Sequence, residues 1–156
     1  MNKCDWAWLA GFLDGEGSFQ IVKYTTKGTK GFPSYNKTYE GYAVQIVATS
    51  VDKILLNRCR QIAGGCIYGP IHRKPGKYWK PAFRWSIKAK KIDKIIDNII
   101  PFLISKRKQA ILLRNFRKTI TVGAPKGSSG RNSNYELLNI RKEMKKEINL
   151  LNKRGI

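Results

Sequence analysis

Histidine and cysteine are nearly missing from this 156-residue chain: His72 stands alone, and Cys4, Cys59 and Cys66 are odd in number with no CxxC spacing. A zinc finger and a Cys/His nucleophile pair are therefore poor fits. No GxxxxGK[S/T] stretch offers a nucleotide-phosphate loop. No uncharged apolar run approaches the ~18 residues of a membrane span, and nothing at the N-terminus is built like a signal peptide. A membrane partner is not expected. Acids are also scarce, 10 against 31 Lys and Arg, for a net charge of +21. Between Gly17 and Lys91 the only acids are Glu40 and Asp52, and Asn98 to Tyr135 holds none. That imbalance points to a polyanion, and to nucleic acid ahead of a membrane surface, because the cations are spread over many elements. With thiols and imidazole so few, chemistry falls to carboxylates, lysines and a metal.

Hydrophobic residues make up 42% of the chain, enough for a core. The pattern predicts one domain over 1–156, with a core from about 5 to 120 and a C-terminal helix from about 134 to 153. Strands are expected at Ser18–Tyr24, Gly41–Ala48, Cys66–His72 and Ala82–Ile87. Phe19, Ile21, Tyr42, Val44, Ile46, Phe83, Trp85 and Ile87 would face inward; Gln20, Val22, Tyr24, Ala43, Gln45, Val47, Arg84 and Ser86 would face the other way. Asp5 and Ser50 are candidate N-caps for a first and a second helix, the latter carrying Ile54, Leu55, Cys59 and Ile62 to the Gly64-Gly65 stop. Ile92, Ile95, Ile96, Ile99 and Ile100 draw an apolar helix face that Pro101 interrupts. A longer helix follows over about Leu103 to Thr119. Ser133 and Glu136 form a capping-box pattern opening a last helix with Leu137, Ile140, Met144, Ile148 and Leu151 on one face. Thr25–Lys37 and Gly123–Ser129 read as loops, and Arg73–Lys80 as a basic turn. The order implies an α+β fold: a four-stranded antiparallel sheet with helices on one face and the other face open.

The most unusual stretch is Trp8-Leu9-Ala10-Gly11-Phe12-Leu13-Asp14-Gly15-Glu16-Gly17-Ser18-Phe19. Ala7, Gly11 and Gly15 recur every four residues, so one helix face is almost bare. Each glycine costs a helix ~1 kcal/mol against alanine, and close approach of a second helix is the simplest compensation. Ala7, Ala10, Gly11 and Asp14 are the candidate contacts for a second copy. The helix then ends in Asp14 and Glu16, carboxylates at its negative pole. Two readings are open from the pattern: a turn with solvated acids, or two such clusters converging across a dimer to hold a hard divalent cation.

These twelve residues closely resemble the signature of the LAGLIDADG homing endonucleases, position by position. One copy of the signature implies a homodimer. The resemblance implies an αββαββα core with a saddle-shaped sheet over about Trp6 to Thr119, and site-specific hydrolysis of double-stranded DNA at a long, pseudo-palindromic site, leaving short 3′ overhangs. It also implies Mg²⁺, with Mn²⁺ as a substitute, on the Glu16 carboxylate and the Gly15 carbonyl. Pro101-Phe102-Leu103-Ile104-Ser105-Lys106-Arg107-Lys108-Gln109 resembles a later family stretch, which implies Lys106 as a catalytic cation, with Lys108 and Gln109 weaker candidates. Some relatives place a solvent-organising Gln and Arg just after the second strand. The matching positions here are Ala48 and Asp52, leaving Thr49, Ser50 or Lys53 for those roles.

The open sheet face would meet DNA. Gln20, Gln45 and Arg84 are the candidate base readers, since amide and guanidinium groups bond bases bidentately. Val22, Tyr24, Tyr68 and His72 would assist them, and Arg73, Lys74 and Lys108 would reach phosphates. Two other readings stand beside the nuclease: a maturase-like protein binding its own intron RNA, and a DNA-binding regulator without catalysis. The abundance of Lys, Ile and Asn suits an A/T-rich genome, in an organelle (chloroplast or mitochondrion) or an archaeal cytoplasm.

Overall fold

A computed structural model describes residues 1–28, 30, 38–71, 80–121 and 135–153. Helix α1 (Lys3–Glu16) leads directly into strand β1 (Gly17–Lys27), which pairs with β2 (Thr38–Ser50). Helix α2 (Lys53–Ala63), strands β3 (Cys66–Ile71) and β4 (Ala82–Lys88), and helix α3 (Lys90–Ile99) follow. A 3₁₀ turn (Ile100–Phe102) joins α3 to α4 (Arg107–Thr121), and α5 (Tyr135–Leu151) closes the described chain. The four strands form one antiparallel sheet in the order β1-β2-β4-β3, so the α+β plan stands. No helix among the described residues is long and apolar enough to cross a membrane.

The core lies between the inner sheet face and the helices. Phe19, Ile46, Trp85 and Ile87 from the sheet meet Leu9 and Leu13 of α1, Leu56 of α2, the isoleucines of α3, and Leu113 and Phe116 of α4. Trp85 is fully buried and its indole N–H donates to the Gly64 carbonyl (2.8 Å), so the largest core side chain leaves no polar atom unpaired there. Two ion pairs bind α3 to α4: Asp93 takes both forks of Arg117, and Asp97 takes Arg114.

Several local details differ from the sequence reading. Asn2, not Asp5, caps α1; Asp5 is the third helical residue and completes a capping box with it. Asp52, not Ser50, caps α2, because the chain stays in β2 through Ser50. On α2 the buried residues are Leu56, Cys59 and Ile62, while Ile54 and Leu55 are exposed. Helix α4 starts at Arg107, leaving Leu103–Lys106 as an irregular passage. On α5, Ile140 is exposed and Arg141 is buried instead. The Arg141 guanidinium replaces apolar packing with hydrogen bonds to the Thr119 carbonyl and hydroxyl, an arrangement hydrophobic periodicity does not reveal. Val47 and Ser86, expected on the open face, are buried. Ser133 lies outside the described residues, as do Gly123–Ser129 and residues 72–79 with His72, Arg73 and Lys74.

Candidate active site and nucleic-acid interface

Everything that positions the candidate active site converges on the C-terminal end of α1. Asp14 sits at the negative end of the helix dipole, where a carboxylate is disfavoured. The irregular passage before α4 compensates. The Asp14 carboxylate accepts from the Ile104 N–H (2.7 Å), the Lys106 N–H (2.9 Å) and the Ser105 hydroxyl (3.0 Å). Burial alone would raise its pKa, but the N–H donors of Ile104 and Lys106 and the Ser105 contacts outweigh it and hold the carboxyl below the ordinary value. The Lys106 ammonium then bends back over the same helix end, donating to the Leu13 carbonyl (3.0 Å) and, more weakly, the Gly15 carbonyl (3.4 Å). No basic residue lies in the last turn of α1, so Lys106, 93 residues on from the Leu13 carbonyl it meets, supplies the cation that this dipole end favours.

Because Asp14 is ionised more readily folded than unfolded, the stability it contributes is complete above the ordinary aspartate pKa of 3.8 and is lost as pH falls through the lowered folded value. Asp14→Asn is therefore expected to flatten the drop in melting temperature below about pH 4 relative to the parent chain. Thermal melts of both proteins across that range check it. Parallel profiles would show that Asp14 carries no such linkage.

Glu16 is the last residue of α1. Its carboxylate is exposed and has no hydrogen-bond or ion-pair partner among the described residues. It directly precedes the strand whose outward residues are Ser18, Gln20 and Val22. The Glu16 carboxylate and the Gly15 carbonyl form an oxygen-only donor set, which fits a hard divalent cation. Among the described residues no three His, Cys, Asp or Glu side chains gather as metal ligands. The buried Cys59 is no thiol nucleophile, since burial pushes it up to about 12.

The bare face of α1 is open in the folded chain. A Cβ built on Gly11 or Gly15 meets nothing within 4 Å, so this chain's own fold does not require glycine at either place. Ala7 is half-buried and Gly11 exposed. Ala10 departs from the expectation: it is 0% exposed, packed in the chain's own core, and presents nothing to a second copy. Asp14 is half-buried, and its carboxylate docks residues 104–106 within the chain.

Residues 9–120 match the profile of the LAGLIDADG endonuclease family. The chain belongs to the LAGLIDADG endonuclease family. Solved structures extend the likeness to the whole fold. The homing endonuclease I-CvuI, in complex with its target in the presence of calcium, is 17% identical with a TM-score of 0.68; the match covers 99% of this chain and 85% of that one. The archaeal intron-encoded homing endonuclease I-Vdi141I, complexed with DNA, is 15% identical with a TM-score of 0.65, over 98% of this chain and 87% of that one. I-SmaMI, bound to uncleaved DNA target with calcium ions, is 22% identical with a TM-score of 0.63, over 96% of this chain and 45% of that one. No curated protein matches the sequence.

In this LAGLIDADG chain the strand register decides which face residues stand together. Gln20 of β1 is paired with Gln45 of β2, whose other neighbour is Lys88 of β4. Arg84 of β4 lies between Thr49 and Tyr68. Arg84, Lys88, Tyr24 and Tyr68 are exposed; Gln20, Val22 and Gln45 are half-buried. Tyr24 lies over Gly41, its partner on β2, where a Cβ would strike its ring. Helix α5 and the residue after it add groups the sequence did not suggest: Lys145, Asn149 and Asn152 line a hollow with Ser18, Gln20 and Val22, and Asn152 donates to the Phe19 carbonyl on the free edge of β1 (2.8 Å).

The expected solvent-organising positions are otherwise engaged. Ala48 is buried in the core, Asp52 caps α2, and the Lys53 ammonium sits 5.3 Å over the Phe83 ring. Thr49 remains on the outer face beside Arg84. Lys108 is exposed on α4. Gln109 is buried and donates to the Leu151 carbonyl (2.9 Å), a tie between α4 and α5 that takes it out of the active site.

Proposed function

We propose that this chain is a homodimeric, site-specific DNA endonuclease that uses Mg²⁺, or Mn²⁺ in its place. The observation that carries the reading is the convergence at one helix end: a Glu16 carboxylate without a partner among the described residues, the Lys106 ammonium, and an α1 face that those residues leave empty at Gly11 and Gly15. Glu16 and the Gly15 carbonyl would hold the cation, and a second copy of α1 would add its own pair of oxygens to the donor set. A divalent cation held there would supply charge neutralisation at the scissile phosphate and an activated water. Lys106 holds a positive charge where negative charge develops in the transition state. The sheet's outer face, with Gln20, Val22, Tyr24, Gln45, Tyr68 and Arg84, lies in the major groove. A two-fold dimer then reads a pseudo-palindrome, and cutting both strands across the axis leaves short 3′ overhangs. That several similar structures were solved on DNA with calcium or magnesium supports the choice of substrate and metal class.

Cleavage-site selection from a randomised duplex library with Mg²⁺, beside a Ca²⁺ control, tests the reading. The expected result is one enriched, partly symmetric site, cut only with Mg²⁺. Enrichment of bound but never cut DNA would favour a binding protein over a nuclease.

A further inference from the structure

The outer sheet face carries a side-chain relay whose ends differ. The Gln45 amide donates to the Gln20 carbonyl oxygen (2.8 Å), and the Gln20 amide donates in turn to the Ser18 hydroxyl (3.0 Å). All three side chains are half-buried, and Gln20 and Gln45 are register partners on neighbouring strands, so the relay is held by the sheet itself. A primary amide has two N–H donors and a two-lone-pair oxygen. Gln20 has both its oxygen and one N–H engaged. Among the described residues Gln45 has used one N–H only, which leaves its oxygen and a second N–H.

In the major groove, guanine presents two acceptors, cytosine a donor, thymine an acceptor and a methyl group. Adenine alone presents a donor beside an acceptor, N6–H and N7. We propose that Gln45 reads one adenine in each half-site, and that Gln20, backed by Ser18, is a positioning residue that locks the Gln45 amide for that base. This rests on the sheet face meeting DNA, as proposed above, and adds which base is read and why two residues act as one. An unbraced glutamine loses rotamer freedom on binding and can present either end of its amide; a braced one has lost that choice beforehand.

The test is sequencing of DNA captured from a randomised half-site library in Ca²⁺, for the parent chain and four variants checked for folding by circular dichroism. The parent chain is expected to enrich adenine at one position per half-site, and Gln45→Ala to abolish that enrichment. Gln20→Ala should relax the preference at the same base pair by about tenfold, the order of discrimination one bidentate contact provides. The double variant should be no worse there than Gln45→Ala alone. Gln20→Glu keeps an oxygen to accept from Gln45; it should weaken binding overall, by adding a negative charge beside DNA, yet retain the adenine preference. Guanine, cytosine or thymine enriched at the position that Gln45→Ala erases overturns the inference, as does a Gln20→Ala effect confined to a different base pair. Capture of no DNA at all by the folded parent chain overturns the sheet-face reading, and this inference with it.

Discussion

Glu16→Gln is expected to abolish DNA cleavage, lowering the single-turnover rate at least ~10³-fold, since metal-assisted hydrolysis loses its one charged ligand in each copy. The substitution keeps side-chain size and removes only charge. Because Glu16 has no ion-pair or hydrogen-bond partner among the described residues, the fold loses no contact, and the melting temperature should stay within a degree or two. Affinity for the selected site in metal-free buffer should be little changed, because the sheet face that meets DNA is untouched. Gel-shift, melting and cleavage measurements on one preparation separate these effects. Retained cleavage would mean that the cation is held elsewhere.

The second large effect concerns the dimer. Gly11→Leu should weaken self-association at least ~100-fold without destabilising the chain. Any glycine within a helix costs ~1 kcal/mol against a good helix former, and here no described residue lies within 4 Å of a Cβ placed at Gly11. The isolated fold should therefore gain slightly from leucine, while two bare faces could no longer close. Ala10→Leu is the contrasting control: that side chain is already enclosed, and overpacking should cost the fold itself ~1–3 kcal/mol. Sedimentation with thermal melts distinguishes the two. A dimer that survives Gly11→Leu would place the interface away from α1.

The two variants also mark where local pattern stops being informative. Ala10 and Gly11 are adjacent small residues in one motif, and composition treats them alike. The core packed around α1 does not: the fold turns Ala10 inward and leaves Gly11 bare. The same limit explains Ile140, which fits the helical period on α5 yet is exposed, while the buried place goes to Arg141 because Thr119 offers it hydrogen bonds. Val47 and Ser86 obeyed the strand alternation and were still covered, since alternation predicts a face and not what lies over it.

What the sequence determined by itself is whatever depends on neighbours in the chain. The element order, the inward residues of the strands, the isoleucine face of α3 and the glycine-acid turn ending α1 all follow from periods of two and 3.6 residues and from backbone freedom. The tertiary structure alone decided which distant groups meet: Asp14 with the N–H donors of Ile104 and Lys106, Lys106 with the Gly15 carbonyl, Gln20 with Gln45, Asn152 with the edge of β1. The reason is physical. A hydrogen bond between residues far apart in sequence forms only after loop closure has been met by burial of the whole core, so its partners are selected by packing, and no local pattern carries their names.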